Sequence, residues 1–218
     1  LEVSSAASCC CNGNFKSLSV GYPLLTTTIG IFAPGTTDEL DYGEEGEICI
    51  SGPSIMLGYL NNKAETDNVI HRHPDGTLWV HSGDIGHMDS DGFVYIKGRI
   101  KRMITLFNGH KIFPTHIESV LGHHPLVESC AVVGVNDTTH AQGQLTLAVI
   151  EAKEQTLEKL TAMKNELYEM CRQELEGPAK PYDIIFIESM PHTGMGKIDY
   201  LKLAENYNNE NKNKTEAV

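Results

Sequence analysis

Short apolar runs separated by turn residues fill residues 1–97, and helix-spaced apolar positions appear only afterwards. Thr28 to Phe32 is β-branched and apolar and ends at the turn pair Pro34-Gly35. Glu47 to Ser51 alternates polar and apolar positions, as a half-buried strand does. Leu78 to His81 and Phe93 to Lys97 follow the turn pairs Asp75-Gly76 and Asp91-Gly92 and read as further strands. Strands this short, at this spacing, predict a small β-barrel-like subdomain or sandwich and no long helix.

From residue 98 the pattern changes. A β-prone stretch, Met103 to Phe107, meets the pair Asn108-Gly109, which predicts a hairpin with strands near 102–107 and 110–113. Pro114, with Thr115 at the cap, opens a helix whose Ile117, Val120 and Leu121 share a face and which Gly122 ends. Apolar strands are predicted at Val127 to Val135, Leu145 to Ile150 and Asp183 to Ile187. Between the last two, Thr156 caps a helix over about 157–175, with Leu160, Met163, Leu167 and Cys171 on one face. This order makes residues 98–218 a compact α+β domain, a small sheet packed on helices. Residues 205–216 are polar and low in complexity and read as a disordered tail.

Charge narrows the partners. The chain of 218 residues carries 29 acidic and 17 basic side chains, a formal charge of −12. Nucleic acid or an anionic membrane as main partner would require a basic face, so neither is expected. No apolar run approaches the roughly 20 residues of a membrane span. The six cysteines, Cys9, Cys10, Cys11, Cys49, Cys130 and Cys171, and the ten histidines show no metal-ligand spacing, so no metal site is expected. Unpaired cysteines of this kind suit a reducing, cytoplasmic setting.

Three stretches carry candidate chemistry. Trp79 to Gly86 reads W-V-H-S-G-D-I-G, and an ionised carboxylate such as Asp84 can accept hydrogen bonds from both hydroxyls of a vicinal diol. Alone, S-G-D marks just a turn aspartate. Gly98 to Glu118 reads G-R-I-K-R-M-I-T-L-F-N-G-H-K-I-F-P-T-H-I-E, a charged strand end before a self-contained unit, which looks like a joint between two bodies. Met190 to Tyr200 reads M-P-H-T-G-M-G-K-I-D-Y; two glycines near a lysine are weak evidence alone, and the spacing is not that of a phosphate-binding loop.

Together these stretches resemble the adenylate-forming enzymes: acyl-CoA synthetases, luciferases and the adenylation domains of peptide synthetases. Gly98, Arg99, Lys101, Ile104, Gly109, Lys111, Ile112, Pro114, Ile117 and Glu118 follow the family's hinge pattern, with Thr105 where many members carry lysine. S-G-P-S-I-M-L-G-Y-L-N-N, from Ser51 to Asn62, resembles its R-G-x-x-x-M-x-G-Y-x-x-N segment, and Glu2 stands where its Y-G-x-T-E motif ends, though Leu1 takes the place of the threonine. Pro191, Thr193, Gly196, Lys197, Ile198 and Asp199 match its terminal motif at every fixed position.

The resemblance implies that residues 1–97 end a large N-terminal domain and that 98–218 form a C-terminal lid, hinged near 99–102. It implies a two-step ligase: a carboxylic acid attacks the α-phosphate of Mg-ATP to give an acyl-adenylate, and CoA then displaces AMP. Asp84 and Arg99 would bind the nucleotide, Lys197 would be catalytic, Lys101 would be the hinge, and Asn108, Gly109 and His110 would line the thiol path. Magnesium would be held mainly by an N-terminal region of the same enzyme, which also supplies the acyl pocket, so the 218 residues alone are expected to be inactive. Two other readings stay open: an adenylation domain that loads a carrier protein, and a non-catalytic binding remnant.

Overall fold

A computed structural model describes all residues except 1, 4, 5, 11, 12, 14, 138, 139, 141, 155 and 216–218, and the backbone but not the side chains of 209–215. Cys11, expected in a small-residue segment, lies outside the described residues. The chain divides into two compact units, Leu1–Lys101 and Arg102–Val218. The first extends past the sequence boundary at residue 97 because its last strand runs to Arg99.

In the first unit, β1 (Ser8–Cys9) pairs with β2 (Tyr22–Pro23). A second sheet holds β3 (Thr28–Phe32), β4 (Gly46–Ser51), β5 (Ile70–Arg72), β6 (Leu78–Met88) and β7 (Val94–Arg99), with α1 (Lys63–Val69) before β5. Its order is β3-β4-β6, and β5 and β7 pair with different stretches of β6. Among the described residues the strand order of this sheet does not close, so the expected barrel-like closure is not shown. Alternation gives its two faces different chemistry. Ile29, Ile31, Ile48, Met88 and Val94 pack on one. Phe32, Cys49 and Trp79 pack together with Glu47 and His81 on the other. The sequence reading ended the sixth strand at His81 and missed α1, whose N-cap is Asn62, accepting from the Glu65 N–H at 3.1 Å.

The second unit opens on a hairpin of β8 (Ile104–Thr105) and β9 (Lys111–Ile112), shorter than the strands predicted. Asn108-Gly109 is not a two-residue turn. The Gly109 N–H donates to Leu106 O at 2.9 Å, the Leu106 N–H donates to His110 O at 2.9 Å, and only Gly109 has a positive φ, +81°. A three-residue loop ending in a left-handed glycine produces that pattern. Next come α2 (Pro114–Gly122), β10 (Val127–Asn136), β11 (Gln144–Ala152), α3 (Leu157–Glu174), β12 (Asp183–Ile187) and α4 (Tyr200–Thr215). Phe113, not Thr115, is the N-cap of α2, and Thr156 caps α3 by position without a side-chain hydrogen bond.

β10 and β11 are antiparallel, and β11 and β12 are parallel. Val132, Ala148, Ile150 and Ile184 face α2 and α3, packing against Ile117, Leu121, Met163 and Leu167. Ala131, Val133, Val135, Leu147 and Val149 face the other way, against Met190 and Leu203. A sheet apolar on both faces needs two covers. Residues 200–208 supply the second, where the sequence reading expected a disordered tail from about 205. Leu203 is buried, and Tyr200, Ala204 and Tyr207 pack beside it at helical spacing.

Asp183 ties α3 to β12. Its Oδ1 accepts from Lys164 Nζ at 2.8 Å, Tyr168 Oη at 2.9 Å and the Ile184 N–H at 2.7 Å. Burial resists ionisation there, but those donors outweigh it and hold the carboxyl below its ordinary range. A depressed carboxylate stabilises the fold above its unfolded pKa, roughly 4, and loses that contribution as pH falls through the folded value. Asp183→Asn is therefore expected to flatten the loss of stability below about pH 4 relative to wild type, read by urea titration at several pH values. Leu167→Ala, in the fully buried seam of α3, should lower stability by about 3 kcal/mol in the helix signal at 222 nm. The lone tryptophan, Trp79, reports the first unit separately.

Candidate functional site

Asp84 lies on β6 where the strand departs from regular pairing. Glu47 pairs with Ile85 and Cys49 with His81, so Ser82, Gly83 and Asp84 stand opposite Ile48 alone. Two extra residues make a bulge, which breaks the ladder and re-aims side chains. Gly83 has φ +71°, a conformation that suits glycine, and a Cβ there would meet nothing within 4 Å. Ser82 Oγ donates to Ile48 O at 2.6 Å and accepts the Asp84 N–H at 3.0 Å. The Gly83 N–H donates to Glu47 Oε1 at 3.0 Å.

Asp84 pairs in register with Arg99 on β7, and the two form an ion pair with Arg99 Nε 3.0 Å from Asp84 Oδ1. Burial pushes the Asp84 carboxyl above its ordinary range, and Arg99 partly offsets that push. The carboxylate is half-buried at 23% side-chain exposure and Arg99 is open at 67%. Lone pairs remain on Asp84 for a second donor pair. Tyr59 Oη, in the G-Y-L-N segment, donates to Glu2 Oε1 at 2.7 Å, so two family-like stretches meet in this unit.

Lys101, the last residue of the first unit, is exposed within a 3₁₀ turn, Ile100–Arg102. Asn108, Gly109 and His110 are exposed at the hairpin tip of the second unit, where Asn108 Oδ1 accepts the His110 N–H at 3.2 Å. Beside them Phe107 stacks on His140, ring centroids 3.8 Å apart. Lys197 sits on a tight loop of the same unit. The Thr193 N–H donates to Lys197 O at 2.7 Å, the Gly196 N–H to Thr193 O at 2.9 Å, and the Lys197 N–H to Thr193 Oγ1 at 3.3 Å. Asp199 closes the loop: its N–H donates to Pro191 O at 2.8 Å, and its Oδ1 accepts the Lys202 N–H at 3.1 Å, capping α4. Lys197 is exposed, and among the described residues its ammonium has no ion-pair partner. The fixed positions of the terminal motif thus shape a rigid loop that presents one cation.

The sequence reading missed the support behind these groups. Arg102 chelates Glu118 with Nη2–Oε1 at 2.6 Å and Nη1–Oε2 at 3.2 Å, and its guanidinium lies 3.6 Å from the Tyr200 ring centroid. Glu118 Oε1 also accepts the Val132 N–H at 2.8 Å. Arg102 therefore binds the start of the second unit to the residue three past Lys197. The reading also missed that Glu47, Cys49 and His81 converge, with ligand atoms within 4.8 Å of one another. Strand register, not linear spacing, brings them together, since Cys49 and His81 are cross-strand partners. A buried thiol, imidazole and carboxylate do not suit magnesium, which requires oxygen ligands and keeps water. An open groove of about 540 Å³, lined by Gly13, Phe15, Lys16, Tyr22, Asp91 and Phe93, contains none of the predicted site residues.

Residues 116–197 match the AMP-binding enzyme C-terminal domain family. The chain is 35% identical over 185 residues to a long-chain-fatty-acid–CoA ligase of Salmonella typhimurium, covering 85% of this chain and 30% of the relative. It is 34% identical over 199 residues to a probable 4-coumarate–CoA ligase of Dictyostelium discoideum, covering 90% and 34%. Among solved structures it resembles ATP-bound MatB from Rhodopseudomonas palustris, with TM-score 0.73 and 27% identity over 90% of this chain and 37% of that one. It also resembles an o-succinylbenzoate–CoA synthetase from Bacillus subtilis in complex with ATP and magnesium, with TM-score 0.71 and 27% identity over 86% and 36%. The chain spans about a third of the length of these relatives. No helix among the described residues is long and apolar enough to cross a membrane.

Gly83→Ala should destabilise the first unit by about 1–2 kcal/mol through its left-handed φ, with no steric clash. Trp79 fluorescence in urea reads it, and Gly83→Asn should recover part of the loss. An unchanged midpoint for the alanine variant would mean that the bulge does not need this backbone conformation.

Proposed function

We propose, on the premise that residues 116–197 match the AMP-binding enzyme C-terminal domain family, that the chain works as the C-terminal part of an AMP-forming acyl-CoA ligase. The loop that holds Lys197 carries this reading: every fixed position of the terminal motif is present, and the ammonium is exposed without a competing anion among the described residues. In the proposed reaction a carboxylate attacks the α-phosphate of Mg-ATP and pyrophosphate leaves. The acyl-adenylate then passes its acyl group to the CoA thiol, and AMP leaves.

Each residue has a task set by charge. Asp84, ionised, accepts the two ribose hydroxyls while Arg99 shares its other oxygen and favours the charged form. Arg99, mostly exposed, is also free to turn toward a phosphate. Negative charge gathers at the α-phosphate as the carboxylate attacks, and the Lys197 ammonium stabilises it. Lys is suited to this because its point charge sits on a flexible stem and can serve two anions in turn. Lys101 is proposed as the pivot between the two half-reactions, and Asn108, Gly109 and His110 as the wall of the thiol path. Thr105 offers no charge to the second step. The oxygen-poor cluster in this chain does not hold magnesium, which enters with the nucleotide as part of the substrate.

A CoA acceptor is favoured over a carrier protein because the matched relatives named above are CoA ligases. In the full-length enzyme, Lys197→Ala should slow carboxylate-dependent pyrophosphate exchange by about 10²-fold or more, the scale of losing one transition-state donor. CoA-dependent AMP release from a supplied acyl-adenylate should stay near wild type. Equal loss of both steps would contradict the role given to Lys197.

A further inference from the structure

Breaking the β4–β6 ladder at the bulge takes cross-strand carbonyl partners away from the Gly83 and Asp84 N–H groups, and a buried donor without a partner is costly. Ser82 Oγ satisfies one of them and Glu47 Oε1 the other. Glu47 is 5% exposed, so its own charge needs support. Its second oxygen, Oε2, accepts from His81 Nδ1 at 3.0 Å. In the neutral tautomer with its proton on Nδ1, His81 offers its Nε2 lone pair to His73 Nε2–H, 3.1 Å away. His73, His81, Glu47 and Gly83 thus form one directed chain, in which each proton position fixes the next. Aromatic neighbours hold the rings in place: Phe32 meets His73 edge-on at 4.7 Å, and His71 lies over His81 at 4.1 Å.

We propose that Glu47 is a positioning residue for nucleotide binding: through Gly83 it sets the bulge that aims the Asp84 carboxylate, and His81 and His73 orient Glu47 from behind. This rests on the assignment of Asp84 to the ribose. Cys49 provides the contrast. It is fully buried beside the same groups but makes no hydrogen bond to the bulge. A merely structural role for Glu47 would make the two residues equivalent toward nucleotide.

The test compares four variants of the full-length enzyme in pyrophosphate exchange: Asp84→Ala, Glu47→Leu, Glu47→Gln and Cys49→Ala. Glu47→Leu is expected to raise the KM for ATP at least tenfold with a smaller change in kcat. Glu47→Gln keeps an amide oxygen for the Gly83 N–H and should restore most of that loss. Cys49→Ala should lower thermal stability without moving the KM. If Asp84→Ala raises the KM and Glu47→Leu shifts it no more than Cys49→Ala does, the positioning role is wrong and the ribose assignment stands. If Asp84→Ala leaves the KM unchanged, the ribose assignment falls and the positioning role falls with it. Should Glu47→Leu fail to fold, amide exchange on the 218-residue chain decides. The Gly83 N–H should exchange slowly in wild type and nearly as slowly in Glu47→Gln, and fast exchange in wild type would overturn the proposal.

Discussion

Two residues inserted into β6 opposite Ile48 set the terms for the first unit. The bulge turns Asp84 away from regular strand geometry and opens the sheet ladder, so side chains must replace lost backbone partners. Ser82 and Glu47 do so, from opposite ends of the S-G-D stretch. The same face of the sheet carries Phe32 and Trp79, whose packing buries Glu47 and resists its ionisation, while His81 and the Gly83 N–H supply the hydrogen bonds that favour the charged form. Arg99 faces Asp84 from β7, so burial and ion pairing act on that carboxyl in opposite directions.

A comparable constraint governs the second unit. Its three-stranded sheet is apolar on both sides, so one layer of helices cannot cover it. Helix α4 covers the second side and is capped by Asp199, two residues beyond Lys197. The loop presenting the lysine is therefore held at both ends, by its own Thr193 hydrogen bonds and by a helix anchored through Leu203. Arg102 adds a third tie, joining Glu118, the Val132 carbonyl and the Tyr200 ring. A rigid mount for a single cation suits the charge stabilisation proposed for Lys197.

Regular periodicity was readable from sequence wherever one rule applied along a whole element. α2, α3 and β12 follow their apolar spacing to within a residue or so. Legibility ended where two rules met. At Ser82-Gly83-Asp84 the bulge interrupts alternation, so one strand looked like a strand and a turn. Asn108-Gly109 carried the signal of a two-residue turn, but Gly109 alone takes the left-handed conformation and lengthens the loop by a residue. The polar composition of 205–216 hid the apolar spacing of Tyr200, Leu203, Ala204 and Tyr207, although the doubly apolar strand Val127–Asn136 already required a further cover. Glu47, Cys49 and His81 could not be joined by spacing at all, because their meeting depends on the pairing of β4 with β6.

A chemical cycle at the ribose tests the account most directly. Binding of ATP and of 2′,3′-dideoxy-ATP would be measured by calorimetry to the full-length wild type and to Asp84→Ala. The account predicts that wild type prefers ATP by about 10-fold or more, the scale of two hydrogen bonds to a carboxylate, and that Asp84→Ala binds both nucleotides nearly alike. An unaltered preference for ATP in Asp84→Ala would contradict it.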